Sequence, residues 1–282
     1  MDNIFDINAV VQNRRRAAAQ FSDHDFLFAK AAERLCDNLS DIKRDFEKCL
    51  IIGWRGADDV IAYLKSQKNT KYIDLYDVTL PDGVTGHVMP TEIPQPETGD
   101  YDAVIVMPCL HQVNDVPGAL TALKLALKPD GVFMCSFFGG QTLMELRDAM
   151  MRAELDIKGG ATQHIHPMID HFQMAGLLQR AGFALPVVDY DRVTVSYGAL
   201  RTLYRDIRHM GESNAMTQRQ KTMTGRGLFD AVEKQYRAHH LDQDGRFNAT
   251  FDIVFGIGWC PHESQQQPSR RGSGDTSLTE VL

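Results

Sequence analysis

The sequence predicts an α/β protein built on a doubly wound, mostly parallel sheet. An apolar run at 50–52 ends at Gly53, and a helix-like segment follows Gly56. Further apolar segments then alternate with helical segments along the chain, which is typical of βαβ units. The last apolar segment, Ala249 to Trp259, comes after the helices and predicts a late antiparallel strand.

Length and composition limit the function classes. A chain of 282 residues with 43% hydrophobic content can bury one α/β core and carry additional helices. Its formal net charge of -7 provides no basic footprint, so we expect no nucleic-acid partner. No apolar run approaches the roughly 20 residues of a membrane span, so we expect at most a peripheral membrane association. The five cysteines form no C-x-x-C pair, which favours free thiols in a cytoplasmic protein.

Three parts of the chain are expected. Residues 1–46 predict an N-terminal helical cap, because four apolar side chains share one face of a helix: Phe28, Ala32, Leu35 and Leu39. Residues 47–263 predict the α/β domain, with a helical insert around 199–245. Residues 264–282 are polar and predict a disordered tail.

The opening strand, glycine turn and helix indicate a site for an adenosine-bearing cofactor. Glycines at 53 and 56 would let the backbone approach the ligand closely. The second predicted strand, Tyr72–Asp77, ends in a carboxylate 24 residues after Gly53. An acid about 20 residues beyond the glycines hydrogen-bonds ribose hydroxyls in such folds. An aspartate that only caps the strand end is an equally good interpretation of Asp77.

The middle of the chain continues the alternation after a loop. Residues 80–100 are rich in proline and glycine, and only 86–89 could form a short strand. A continuous apolar segment at 101–107 predicts a buried parallel strand. Residues 128–131 predict a turn, and the next strand is expected at 131–137.

Polar residues after the fourth strand are the best candidates for catalysis. His111 and Asn114 follow that strand, where the reactive end of the cofactor would face. A structural hydrogen bond to neighbouring backbone is an alternative role for His111. The pair His164 and His166 would share one face of an extended segment, but linker histidines are more often solvated, and we expect no metal site.

Several stretches resemble the class I S-adenosylmethionine-dependent methyltransferases. The segments 101–106, 110–117 and 126–131 match that superfamily. The segments 138–147, 210–214 and 258–265 resemble one subfamily, which comprises the mitochondrial complex I assembly factor with a methyltransferase fold and its alphaproteobacterial relatives. Mitochondrial members are implicated in arginine hydroxylation, and the subfamily is similar to the malonyl-carrier-protein methyltransferase of biotin synthesis.

The resemblance implies a seven-stranded Rossmann-like sheet that binds S-adenosylmethionine. It further implies a protein substrate, such as a complex I subunit, and a location in the bacterial cytoplasm. The residues implied for cofactor binding are Gly53, Gly56, Asp77, Met107 and Leu110. The residues implied for substrate or partner recognition are Trp259, His262 and Glu263.

This sequence departs from the superfamily pattern around the glycine turn. The acid that precedes the first glycine in relatives is replaced by Ile51, and the bulky Trp54 and cationic Arg55 stand inside the turn. The 80–100 interval is shortened and has no clear counterpart of the acid that holds the adenine amine in relatives; Glu92 is the candidate for that role. Three hypotheses follow: an enzyme that modifies a protein side chain, a non-catalytic assembly chaperone that has lost the cofactor, and a carrier-protein methyltransferase.

Overall fold

A seven-stranded sheet runs through the molecule, as predicted. The computed structural model describes residues 3–89, 92, 97–221 and 225–266. The strand order is β3-β2-β1-β4-β5-β7-β6. The strands are β1 (Lys48–Ile52), β2 (Tyr72–Asp77), β3 (His87–Val88), β4 (Tyr101–Val106), β5 (Leu127–Gly139), β6 (Ala184–Tyr197) and β7 (Phe247–Trp259).

Helices cover both faces of the sheet. They are α1 (Ile7–Ala17), α2 (Phe26–Asp41), α3 (Ala57–Gln67), α4 (Val116–Ala126), α5 (Met144–Lys158), α6 (His171–Ala181), α7 (Leu200–His209) and α8 (Arg226–His239). Each face of the sheet has its own hydrophobic core, and successive side chains of β1 enter them alternately. Ile51 packs with α2 and α3, whereas Leu50 packs with α1, α4 and α6. Burial on both faces explains why β1 is a continuous apolar run.

The first five strands in chain order are parallel, and β7 is antiparallel to both of its neighbours. The late antiparallel strand predicted from 249–259 is therefore confirmed, as β7. The turn predicted at 128–131 is a bulge inside β5, which begins at Leu127: Tyr101 pairs with Leu127 and Ala103 with Val132, so 128–131 lie outside the regular pairing. Asp130 has a φ of 62° there, and Cys260 N donates to Gly131 O (2.8 Å).

Parts of two predictions lie outside the described residues. The polar tail was expected at 264–282, and residues 267–282 are not among those described. The same is true of 90–91 and 93–96 in the predicted loop at 80–100. In the described part of the chain, no helix is both long and apolar enough to cross a membrane.

Candidate functional site

The carboxyl ends of β1, β2 and β4 meet at one edge of the sheet. Ile52, the last residue of β1, is paired with Tyr76 on one side and Val106 on the other. Ligands of doubly wound sheets bind in the crevice outside these carboxyl ends. The predicted cofactor residues follow these three strands, so the structure does bring them to one place.

In the glycine turn, the space beside the two glycines is occupied by other residues of the chain. Gly53 and Gly56 have φ values of 95° and 77°, which side-chain-bearing residues rarely adopt. A Cβ on Gly53 would lie 3.1 Å from Met107 Cβ, and one on Gly56 would lie 3.0 Å from Phe28 O. The space freed by both glycines is therefore already filled by neighbouring residues.

Asp77 lies where it was expected, at the end of β2, but its carboxylate is already engaged. It is 1% exposed and accepts hydrogen bonds from Arg14 Nη1 (2.5 Å), Trp54 N (3.0 Å) and Val78 N (2.6 Å). Arg14 Nη2 also donates to Gln112 Oε1 at 3.0 Å. The Asp77 carboxylate, which would accept hydrogen bonds from ribose hydroxyls, is thus bound by the Arg14 guanidinium of α1.

One face of α1 fills the space that remains in the crevice. Ile7, Val10 and Arg14, spaced i, i+3 and i+7, line a cavity together with Asp77 and Glu92. The cavity volume is about 20 Å³. Small-molecule sites usually enclose about 300–1,000 Å³, so this cavity by itself is too small for an adenosine.

A second buried cation occupies the turn after β1. Arg55 is 2% exposed and donates to Glu212 Oε1 (2.5 Å), Met210 O (2.8 Å) and Pro108 O (3.1 Å). Its guanidinium lies 4.6 Å from the centre of the Phe28 ring. Such a desolvated cation is stable only when it is paired and hydrogen-bonded, and Glu212 supplies the pairing charge.

Glu212 joins this cation to the predicted catalytic histidine. Its Oε2 lies 2.9 Å from His111 Nε2 and accepts from Gln112 Nε2 at 2.8 Å. Burial raises the pKa of Glu212, but the charges of His111 and Arg55 outweigh it and hold this pKa below its usual range. When the ring is neutral and Nε2 donates, His111 Nδ1 can accept from Phe138 N at 3.4 Å, so the ring is then held on both sides.

Asn114, the other catalytic candidate, anchors the N-terminal segment. Its side chain accepts from Phe5 N (2.8 Å) and donates to Phe5 O (3.2 Å). Its backbone N–H donates to Glu92 Oε2 at 2.7 Å. Leu110, expected at the cofactor, is buried in the short 3₁₀ turn just before it. Both residues therefore support the segment that closes the crevice.

A larger pocket lies on the other side of Glu212. Its volume is about 400 Å³, and it is enclosed by α5, α7, α8 and the 164–168 linker. Its apolar walls include Phe138, Leu143, Leu146, Met150, Ile165, Met168, Ile207, Phe229 and Phe251. The polar side chains along it include His166, Glu212 and Asn214.

Two polar atoms in this pocket wall lack partners among the described residues. They are His166 Nδ1 and Tyr204 Oη, and His166 is 5% exposed. Burial, and then the charge of the stacked His111 ring 5.8 Å away, lowers the pKa of His166 to about 4. The wall thus contains a neutral imidazole and a phenol, both of them buried.

The other histidines of that region are dispersed. His164 Nε2 lies 3.1 Å from Glu154 Oε1, and His171 stacks on Tyr190 at 4.7 Å. Among the residues that the structure describes, no group of three or more histidine, cysteine or acidic side chains could hold a metal ion.

The three residues expected in substrate or partner recognition lie away from the crevice. Trp259 pairs with Val132, near the start of β5, whereas Asp252 pairs with Gly139 at its carboxyl end. Seven residues of strand put Trp259 about 23 Å from that end. Gln265 Nε2 donates to Asp130 Oδ1 and Cys260 O, both at 2.8 Å, so this segment ties down the end of β7. A partner role for Trp259, His262 and Glu263 stays a prediction.

Comparisons with known proteins agree with this architecture. A family model described as "Methyltransferase domain" matches residues 5–186. The chain is 34% identical over 292 residues to the human protein named arginine-hydroxylase NDUFAF5, mitochondrial, covering 99% of this chain and 83% of that one. The chain belongs to this methyltransferase family. The recognised resemblance and the Rossmann-like fold class are thereby confirmed.

Further matches of the family differ in extent. The Dictyostelium discoideum protein of the same name is 33% identical over 99% of this chain and 70% of its own length. A malonyl-acyl-carrier-protein O-methyltransferase of Xylella fastidiosa is 33% identical over only 57% of this chain and 52% of its own. The YcgJ protein of Bacillus subtilis shares the fold, with a TM-score of 0.51, 13% identity, and coverage of 86% of this chain and 99% of that one.

S-adenosylmethionine is the cofactor that this family implies. Asp77 and Glu92 are carboxylates of the kind that accept from ribose hydroxyls and an adenine amine, and they line one cavity. In the described conformation, however, Arg14 holds Asp77 and α1 fills the cavity. The residues as they stand do not fit the cofactor.

Several site residues escaped the sequence analysis. Arg14 and Gln112 were not singled out for binding or catalysis, His166 was considered only as a metal ligand, and Arg55 was treated only as a departure. Glu212 belongs to the segment 210–214, which had been noted as specific to the subfamily. The sequence does show an acidic residue in that motif and a cation in the glycine turn. Nothing in the local pattern indicates that these two residues meet.

Proposed function

We propose that this protein is an S-adenosylmethionine-dependent enzyme of the methyltransferase type that modifies a side chain of another protein during assembly of respiratory complex I. The observation that carries this proposal is the extent of the similarity to proteins named arginine hydroxylases, which covers 99% of this chain. A match of that extent includes the pocket-lining segments as well as the sheet. Cofactor binding then requires Arg14 to leave Asp77.

The pocket beside Glu212 supports a protein side chain as the acceptor. Its volume of about 400 Å³ and its apolar walls suit the stem of a long side chain. The Glu212 carboxylate, which lines the pocket, supplies an acceptor for a polar head. A carrier-protein methyltransferase is a weaker candidate, since that similarity extends over only 57% of this chain.

A second candidate function, a non-catalytic assembly factor, is favoured by one specific observation. Arg14 and Arg55 are both buried, and they neutralise Asp77 and Glu212 in the place where a cofactor would lie. Because both cations are paired, the buried charges of the crevice are balanced without a ligand. A protein of this kind would act through its surface and leave its partner chemically unchanged.

Mass spectrometry of complex I separates the two candidates. The subunits would be purified from cells with the gene, without it, and with it restored. The enzyme hypothesis predicts an added methyl group or oxygen atom on one side chain, absent without the gene and regained on restoration. Loss of assembled complex with no difference in any subunit mass would instead support the assembly factor.

A further inference from the structure

A cleft between α1 and α7 gathers positive charge. Its volume is about 510 Å³, and four arginine side chains line it: Arg16, Arg201, Arg205 and Arg208. The three on α7 are spaced i, i+4 and i+7, which places them on one face of the helix. They span about 10 Å of helix axis. The other lining residues are Ala19, Gln20, Tyr204 and His209.

These four arginines lack acidic partners. Within the described ranges, none of them has a carboxylate oxygen within 4.0 Å, and Arg16 donates only to Gln12 Oε1 at 3.1 Å. The nearby Asp206 is engaged by His24 Nδ1 at 2.8 Å. In a chain with a net charge of -7, this uncompensated group of cations marks a local site for an anion.

The positive charge of the cleft affects the pKa of a neighbouring histidine. His209 stacks on His24 with ring centres 4.8 Å apart. Burial lowers the pKa of His209, and the charges of His24, Arg208 and Arg205 lower it further. A bound anion would offset this repulsion.

We propose that the α1–α7 cleft binds a phosphate group. Phosphate offers several oxygens in a tetrahedral arrangement, so two or three guanidinium groups can each donate to it in bidentate fashion. A carboxylate has only two oxygens for the same donors. The net charge of -7 opposes binding of a long polyanion.

Tyr204 links the cleft to the large pocket, because it lines both. Its hydroxyl is buried and has no hydrogen-bond partner in the described part of the protein. The ligand class is therefore a phosphate ester whose body lies next to the apolar pocket. A soluble metabolite and a phospholipid headgroup share this chemistry.

Calorimetric titration with inorganic phosphate and pyrophosphate, at constant ionic strength, tests the site. We expect millimolar or tighter binding to the wild-type protein. The double variant Arg205→Gln/Arg208→Gln should weaken it by at least about tenfold, because charge-assisted hydrogen bonds are lost. The control Arg180→Gln/Arg237→Gln removes the same charge from α6 and α8 and should leave the affinity roughly unchanged.

Two further measurements identify the source of the phosphate and could overturn the proposal. Sedimentation with phosphatidic acid vesicles, reversed by pyrophosphate and lost in Arg205→Gln/Arg208→Gln, would assign a lipid headgroup. Phosphate binding without vesicle binding would assign a soluble ester. The proposal fails if the wild type does not bind phosphate, if both double variants weaken binding equally, or if a polyglutamate peptide binds through these arginines and phosphate does not.

Discussion

Arg14 Nη1 lies 2.5 Å from Asp77 Oδ1, and both side chains are at least 96% buried. This ion pair closes the crevice at the carboxyl ends of β1 and β2, where the fold normally holds a ribose. The helix that carries Arg14 is held at its start as well, because Asp6 N donates to Ala215 O at 2.8 Å and Asp6 pairs with Arg219 at 3.0 Å. The closure is therefore part of the fold, and a ligand must displace it.

The buried pair of Arg55 and Glu212 should contribute strongly to stability. Arg55→Met leaves the Glu212 carboxylate without its buried cation, and we expect the free energy of unfolding in urea to fall by about 3–5 kcal/mol. Arg237→Met, which breaks an exposed pair with Glu233, should cost about 0–1 kcal/mol. A similar loss in both variants would contradict the role assigned to Arg55.

The pH dependence of unfolding should reveal His166. Its pKa is about 4 in the folded protein, against an ordinary value of 6.5 for histidine. Between these values the unfolded chain binds a proton that the folded protein does not. The free energy of unfolding should therefore fall as the pH drops through this range, by up to about 1.4 kcal/mol per pH unit from this residue. His166→Gln, which cannot be protonated, should flatten the slope.

An exposed histidine supplies the control for that experiment. His262 follows the end of β7, at the end of the sheet opposite the crevice, and its Nδ1 contacts Ser264 Oγ at 2.7 Å. His262→Gln should leave the slope as in the wild type. An unchanged slope in His166→Gln, measured by urea unfolding at several pH values, would show that His166 is not buried in its neutral form.

The apolar pocket offers a test of acceptor binding. Met150 lines it, whereas the adjacent Met151 is exposed and does not. Met150→Trp should fill part of the cavity and abolish restoration of the complex I modification in cells that lack the gene. Met151→Trp should restore the modification as the wild type does. Equal restoration by both variants would exclude this pocket as the acceptor site.

The sheet was predictable because its signals are local. The apolar run of β1 lies between two layers of helices, and burial on both faces requires that pattern. Asp77 was also placed correctly at the end of β2, because strand ends and their spacing are visible in the sequence. The glycine turn was located for the same reason, although Phe28 and Met107 occupy the space expected for a ligand.

The contacts that close the site were not predictable from local pattern. Arg14 and Asp77 are 63 residues apart, and Arg55 and Glu212 are 157 apart. Nothing in periodicity or spacing says which of many charged residues will meet across such distances. In the arginine run at 14–16, Arg14 is buried while Arg15 and Arg16 are exposed, although the three are the same residue type in sequence.

Calorimetric titration with S-adenosylmethionine tests the central claim, that Arg14 closes the cofactor crevice. Arg14→Ala frees the Asp77 carboxylate and opens space along α1. Arg15→Ala, the control, removes a neighbouring cation that donates to Thr79 Oγ1 at 3.2 Å. Losing a competing charge-assisted hydrogen bond should tighten cofactor binding by about tenfold or more in Arg14→Ala. We expect Arg15→Ala to bind like the wild type. Binding by Arg14→Ala that is no tighter than by Arg15→Ala would contradict the claim.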